Sequence, residues 1–330
     1  MRAALLVKPG TIEIDEVPEP AIGPDDVRIA VGGVGLCGSD LSVFSGRWIA
    51  PSYPWIMGHE AFGTIDGVGE RVPRSRLGET VVIEPNVACF GCLQCERGRT
   101  SACVRRQSVG MNRAGALAEH VVVPSEFAWQ VTGRDPTDLV CVEPLAVVEA
   151  ALRRLGTPLP GAALVVAVGP QGLLMCLAMA RRGVLVYADD LNQERVAFAA
   201  TIGASGLPVD EDGQRFDLVV DTVGTPASIE RALGRVEIGG TLLVLGLDSR
   251  PFEMSAQTLV RRQLVIRGSL TYDHPIDFLA AVELVQAGRV SPGRIVSSGF
   301  ALEQAQLAFE SSSSAPGKTW ISVDAGSGSS

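Results

Sequence analysis

Four of the chain's seven cysteines fall within fifteen positions, in the stretch CFGCLQCERGRTSAC, residues 89–103. Cys89, Cys92, Cys95 and Cys103 follow a C-x2-C-x2-C-x7-C spacing. Four thiolates on a short, glycine-containing loop can converge tetrahedrally on one Zn2+, with Zn–S about 2.3 Å. Disulfides between residues three apart in one tight loop would be strained. The run also lacks the Cys-Pro ending of bacterial iron–sulfur loops. A closed shell of four sulfurs leaves no position for a substrate, so this ion would hold structure and carry no chemistry.

A second set of metal-ligating types is spread more widely. GLCGSD brings Cys37, Ser39 and Asp40, and GHE follows with His59 and Glu60, the histidine 22 residues after Cys37. Much later, CVEPLAV carries Glu143. Taken singly these are a buried thiol, a satisfied core histidine and solvated acids. Taken together they are the S, N and O donors that zinc accepts. Spacing by itself does not separate the two readings.

A third feature could hold a phosphate. VVAVGPQGLL aligns on the dinucleotide fingerprint G-x-G-x-x-G as Ala167-x-Gly169-x-x-Gly172, with alanine in place of the first glycine. Gly169 lets the backbone approach a pyrophosphate, Gly172 lets helix and strand pack closely, and the helix N-terminus that Pro170 and Gln171 begin attracts negative charge. The next strand, in LVYADDLNQER, ends in Asp189 and Asp190, the second lying 21 residues past Gly169. A carboxylate there takes ribose hydroxyls and repels a 2′-phosphate, which favours NAD over NADP.

These residues need elements to position them. Residues 1–146 are rich in Gly, Pro and short β-type runs such as VRIAVGGVGL, GETVVIEP and AEHVVVP, the texture of a β domain with frequent turns. From about residue 150 strand-like and helix-like runs alternate: ALVVAVG, GLLMCLAMARRG, VLVYAD, NQERVAFAATIGA, FDLVVDTVG, SIERALGRV and GTLLVLGL. That alternation predicts a parallel sheet covered on both faces. The expected division is a β-rich domain over 1–146, completed by 288–323, around a nucleotide-binding domain at 147–287. The serine run at 311–314 is expected as a loop, and 324–330, DAGSGSS, as a disordered tail.

Composition excludes some classes. With 330 residues, 46% hydrophobic and 20% charged, two ordinary globular domains are expected. A net charge of −9 offers no basic patch for nucleic acid. Residues 162–180 are apolar enough to suggest a membrane span, but GPQG cuts them into a strand-sized and a helix-sized piece. The N-terminus shows no secretory signal, so a cytoplasmic protein is expected, where clustered cysteines bind metal.

GLCGSD, GHE, the four-cysteine loop, EPLAV and the glycine turn, in this order over residues 1 to about 321, resemble the zinc-dependent medium-chain dehydrogenase/reductase family. The resemblance implies a GroES-like β-rich catalytic domain plus a Rossmann doubly wound parallel sheet. It implies two zinc ions per chain, a structural one in the cysteine loop and a catalytic one on Cys37 and His59, with Glu60 and Glu143 taking or exchanging the remaining positions. Ser39 would carry a proton from the substrate hydroxyl, and Asp40 would orient His59. The family's D-x4-R phrasing, ending here in Arg195, selects Asp190 for the ribose. Val223 in DTVGTP and Gly246 in VLGL match loops that flank the nicotinamide, and Lys318 sits where relatives carry a basic residue near the zinc-side glutamate and the pyrophosphate. Substrates would be small alcohols or ketones, and relatives are homodimers or homotetramers.

One position departs from the pattern. Many relatives read C-G-[ST]-D-x-H, whereas CGSDLS has Ser42 in place of the histidine, and a hydroxyl cannot buffer a proton near neutral pH. This points away from threonine 3-dehydrogenases. It also resembles the branch acting on polyols, sugars and aminocyclitols such as 2-deoxy-scyllo-inosamine. The competing expectations are a threonine or simple-alcohol dehydrogenase, and a non-enzymatic zinc-stabilised NAD-binding protein, which would tend to lose Cys37, His59 or Ser39. Tyr272, in GSLTY, is a further candidate to meet a polar substrate.

Overall fold

A computed structural model describes residues 1–156, 158–207 and 213–323. It divides into two compact units, Met1–Ala146 with Asp273–Ser330, and Val147–Tyr272. The tail expected at 324–330 lies outside the described residues.

The first unit is built on one long strand, Asp26–Gly35. Alternating side chains bury Val27, Ile29 and Val31 on one face, as a half-covered antiparallel strand requires. It pairs antiparallel with Glu60–Val68, His120–Pro124 and Lys318–Ser322 in a seven-stranded sheet. Two registers matter for the site: Gly35 lies opposite both Glu60 and Trp320. The C-terminal strand therefore runs beside the strand that ends just before Cys37. Its other neighbour, Val296–Ala301, is parallel to it and reached through the helix Ala305–Ser312, which buries Ala305, Ala308 and Phe309. Ser311 and Ser312 close that helix, so the serine run read as a loop begins as helix.

The second unit holds a six-stranded, wholly parallel sheet. Its spatial order is Ser205–Gly206, Leu185–Asp189, Ala162–Val166, Phe216–Asp221, Val236–Val244, Val265–Gly268. The order reverses at Ala162–Val166, the doubly wound pattern that places ligands at the carboxyl ends of the strands around the reversal. Ala163, Leu164, Val165 and Val166 are all buried, as a central parallel strand covered on both faces demands. Side-chain caps start the helices where the sequence changes period: Asn192 accepts from Glu194 N–H, and Thr225 from Ser228 N–H. The apolar run 162–180 resolves into Ala162–Val166 and the helix Pro170–Ala180, and no helix among the described residues is long and apolar enough to cross a membrane.

The compact division falls at Tyr272/Asp273, where the sequence reading had placed it at 287/288. Helix Ile276–Gln286 consequently groups with the first unit. Its contacts there explain why: Phe278 lies 6.0 Å from Trp129 between ring centroids, and the Gln286 side chain accepts from Thr132 N–H at 2.9 Å.

A candidate active site with two metal-ligating clusters

Cys37 caps the helix Gly38–Phe44, immediately after the long strand has ended. His59 and Glu60 stand at the start of the neighbouring strand Glu60–Val68. The register that sets Gly35 against Glu60 draws the two segments together, and ligand atoms of Cys37, His59 and Glu60 all lie within 4.8 Å of one another. Two glycines make the approach possible. A Cβ at Gly35 would fall 2.6 Å from Glu60 Oε2, and Gly58 adopts φ +91° with Val34 and Leu117 packed against it.

Asp40 ties the cluster into one object. Its Oδ2 accepts the Cys37 N–H at 3.0 Å, and its Oδ1 accepts the Gly58 N–H at 3.2 Å and stands 3.3 Å from His59 Nδ1. Burial alone would push the fully buried Asp40 carboxyl up, but His59 and the two N–H groups outweigh it and hold Asp40 below the usual carboxylate range. Burial acts on His59 in the opposite sense, and Asp40, with Cys37, overrides it to raise His59 well above its ordinary value. With Nδ1 engaged, Nε2 is the nitrogen left for other work, and Ser39 Oγ lies 3.5 Å from it. One thiol, one imidazole and one carboxylate form a donor set that fits zinc with a coordination position to spare.

Lys318 is buried beneath this cluster. Its ammonium is ion-paired with Glu60 and donates to the Leu36 carbonyl at 3.2 Å. Burial disfavours its charge, yet Glu60 and the thiols of Cys141 and Cys37 more than offset this and shift its pKa upward. The resemblance places Lys318 near both the zinc-side glutamate and the pyrophosphate, and the described contacts show the first of these, Glu60. Glu143, also buried, lies in the first turn of helix Val142–Leu155 and is not one of the three residues gathered within 4.8 Å. Ser42 Oγ donates back to the Gly38 carbonyl at 2.9 Å, so the hydroxyl standing in the histidine position is spent inside its own helix. Tyr272 is buried.

The second cluster unites the four loop cysteines, with sulfurs within 4.8 Å of one another and no disulfide. Cys92 Sγ lies 3.6 Å from Cys95 Sγ and 4.0 Å from Cys103 Sγ. Four sulfurs each 2.3 Å from one ion would be about 3.8 Å apart, so the loop is already near tetrahedral spacing. Backbone N–H groups pull the Cys92 thiol down to about 6, while burial and its neighbours push Cys95 up to about 12.

In the second unit Gly169 caps the helix Pro170–Ala180, with Pro170 in its first turn. A Cβ on Gly172 would meet the Ala167 carbonyl at 2.2 Å, which explains the second glycine. Ala167 itself has φ +66°, the left-handed conformation for which the fingerprint ordinarily uses its first glycine. The two acids separate cleanly. Asp189 is ion-paired with Arg231, while Asp190 accepts the N–H of Val168 and of Asn192, each at 2.8 Å. Asp190 is thus the acid that borders the glycine turn, and each of its oxygens keeps a lone pair for a hydroxyl. The guanidinium of Arg195 lies 3.9 Å from where a Cβ on Gly169 would be.

Asp221 and Thr222 open the DTVGTP loop, but neither carries a role of its own in the sequence. Buried Asp221 accepts the N–H groups of Val223 and Gly224, and Thr222 Oγ1 donates to the Ala167 carbonyl at 2.6 Å. A Cβ on Gly246 would strike the Val223 carbonyl carbon at 1.9 Å, so the loops carrying Val223 and Gly246 are in direct contact. The signals for Asp221 and Thr222 in the sequence are the match of DTVGTP to a nicotinamide-flanking loop and the acid that ends the apolar run FDLVVD.

Residues 23–133 match the family described as alcohol dehydrogenase GroES-like domain, and residues 170–287 match zinc-binding dehydrogenase. D-altritol 5-dehydrogenase of Agrobacterium fabrum is 30% identical, over 86% of this chain and 88% of its own. L-threonine 3-dehydrogenase of Symbiobacterium thermophilum is 31% identical over 77% and 78%. Among solved structures, a zinc-binding dehydrogenase of Sinorhizobium meliloti 1021 bound to NADP superposes with a TM-score of 0.88 at 25% identity, covering 98% of this chain and 99% of that one. With these relatives, a GroES-like unit, a doubly wound parallel sheet and both cysteine-based clusters in place, the chain belongs to the zinc-dependent medium-chain dehydrogenase/reductase family, oxidoreductases that act on CH–OH groups with zinc and a nicotinamide cofactor.

Proposed function

We propose that this enzyme oxidises, reversibly, a secondary alcohol of a polyol, sugar or aminocyclitol, using NAD+. The observation that carries the reading is the grouping of Cys37, His59 and Glu60 with Ser39 beside the free face of His59. In this reading Cys37, His59 and Glu60 hold the catalytic zinc, with Glu143 as an exchange ligand, and Cys89, Cys92, Cys95 and Cys103 hold a structural one. When bound, the catalytic ion supplies a Lewis acid that makes a substrate hydroxyl more acidic, and NAD+ supplies the hydride acceptor.

The chain's own residues do the rest. Asp40 fixes the histidine tautomer, Lys318 neutralises part of the Glu60 charge, and Ser39 takes the substrate's proton. Ser42, bonded within its helix, does not extend that path, so the proton passes from Ser39 to solvent. Gly169, Pro170, Gln171 and Gly172 receive the pyrophosphate, Asp190 the ribose, and the Val223 and Gly246 loops border the nicotinamide. The carboxylate of Asp190 favours NAD over the 2′-phosphorylated cofactor.

The domain limits follow the same reading, a catalytic domain over 1–146 with the C-terminal segment and a cofactor domain between them. A cytoplasmic homodimer or homotetramer is part of the same reading, supported by the free thiols of the cysteine loop and by the edge strand Val265–Gly268. Threonine is the second substrate reading, supported by a threonine 3-dehydrogenase among the relatives and opposed by Ser42.

NADH formation by zinc-replete protein, offered polyols, sugars and aminocyclitols beside threonine and simple alcohols, tests the proposal. Turnover of a polyhydroxylated substrate that Cys37→Ser abolishes supports it. Preference for threonine would overturn the substrate assignment and leave the reaction class intact.

A further inference from the structure

His274 has no role in the chemistry above, yet it is among the most heavily engaged side chains in the first unit. Its Nδ1 lies 2.9 Å from Glu84 Oε2, a fully buried carboxylate that also accepts Trp129 Nε1–H at 2.8 Å. The ring stacks on Phe127, with centroids 4.6 Å apart, and meets Phe90 edge-on at 5.5 Å. The backbone on either side is held by the cysteine loop. His274 N–H donates to Thr100 Oγ1 at 2.6 Å, and Ser101 N–H donates to Asp273 Oδ1 at 3.0 Å. Thr100 and Asp273 are both buried. The contact continues along the chain, since Asp273 N–H donates to Asp277 Oδ2 at 2.8 Å and Asp277 N–H to the Asp273 carbonyl at 3.1 Å, in the first turn of helix Ile276–Gln286.

Phe90 stands between Cys89 and Cys92, and Thr100 and Ser101 stand between Cys95 and Cys103. Phe90, Thr100 and Ser101, which grip the 273–277 segment, are therefore each flanked by metal-ligating cysteines. Besides its backbone turns, the loop is held by Arg105 and Arg106, which donate to the Gly91 and Ser101 carbonyls at 3.0 and 2.7 Å. It contains one turn of helix, Leu93–Glu96, and one of 3-10 helix, Thr100–Ala102, while Phe90 and Leu93 are exposed. A loop without an apolar core of its own takes its backbone positions from its cross-link.

From these contacts we infer that the cysteine loop is a latch on residues 273–277, and that metal occupancy of its four thiolates sets the order of the segment by which the chain re-enters the first unit from the second. Phe90, Thr100 and Ser101 are positioning residues acting through Asp273 and His274. The inference rests on the reading of the loop as a zinc site and is independent of any substrate.

Hydrogen exchange read by mass spectrometry on the full chain tests it, with zinc counted on the same samples. Three forms are compared: the zinc-replete protein, Cys95→Ser and Thr100→Val. Cys95→Ser should lose one zinc and exchange faster at both 89–103 and 273–286, with strands 26–35 and 162–166 unchanged. Thr100→Val keeps both zincs and removes one hydrogen bond, so exchange at 274–278 alone should rise about two- to tenfold. The latch is overturned if Cys95→Ser loosens 89–103 only, if it loosens 26–35 as well (global unfolding), or if Thr100→Val changes nothing at 274–278. Finding no zinc in the loop of the replete protein would overturn the latch together with the zinc reading, whereas one zinc in the loop with no effect of Cys95→Ser at 273–286 would overturn the latch alone.

Discussion

At the residue scale, the site depends on groups whose partners are fixed by more than one bond. Asp40 touches Cys37, Gly58 and His59 at once, so its loss disturbs both arms of the metal cluster. Replacing it by asparagine keeps the shape but removes the charge facing His59. We expect Asp40→Asn to lower zinc affinity at that cluster about 10–100-fold, as the loss of an outer-shell carboxylate does elsewhere, while the four-cysteine ion is retained. Metal titration with a competing chelator would show one weakened site out of two. Ala167 gives a prediction of opposite sign. A non-glycine residue at φ +66° carries about 1–2 kcal/mol of strain, part of which glycine returns as unfolded-chain entropy. Ala167→Gly should raise stability by up to about 1 kcal/mol, read as a higher denaturant midpoint; a lower one would mean that the Ala167 side chain makes compensating contacts.

At the element scale, the strand ends of the parallel sheet are held by buried polar groups. Asp221, closing the strand Phe216–Asp221, is pushed above its ordinary value of 3.8 by burial, against the Ser228 hydroxyl and the two loop N–H groups that favour its charge. A carboxyl whose pKa is higher folded than unfolded contributes stability that is fully present below the unfolded pKa and lost as pH rises through the folded one. Asp221→Asn keeps an acceptor for the Val223 and Gly224 N–H groups and cannot ionise. Urea midpoints taken from pH 4 upward should therefore fall less with pH in the variant than in the parent. Parallel curves would show that Asp221 titrates alike in both states.

At the scale of the whole molecule, the parallel sheet ends, among the described residues, in the edge strand Val265–Gly268, with exposed Val265 on the strand and exposed Ile238 and Val260 on its neighbours in sequence. Unpaired edges with apolar side chains invite a second strand. If two copies join along it, Val265→Lys should convert the dimer to monomer in sedimentation velocity without loss of zinc. An unshifted oligomer would place the interface elsewhere.

Much of this protein is legible in one dimension. Ligand types are written in the residues, so C-x2-C-x2-C-x7-C announces a metal by itself while GHE does so only through the family resemblance, and the change of hydrophobic period near residue 150 announces a β-rich part followed by a parallel sheet. Glycine turns and helix caps are local, which is why Gly169, Gly172 and the alternation of strand and helix were readable. What tertiary structure decided are the pairings between distant segments. Strand register put Lys318 under Glu60 and buried the pair. Arg231 reached back to neutralise Asp189, leaving Asp190 beside the glycine turn. The cysteine loop closed on His274, and helix Ile276–Gln286 joined the first unit. Such pairings follow from which buried charge finds a counter-charge once the sheets are packed, and no local pattern of residues contains that information.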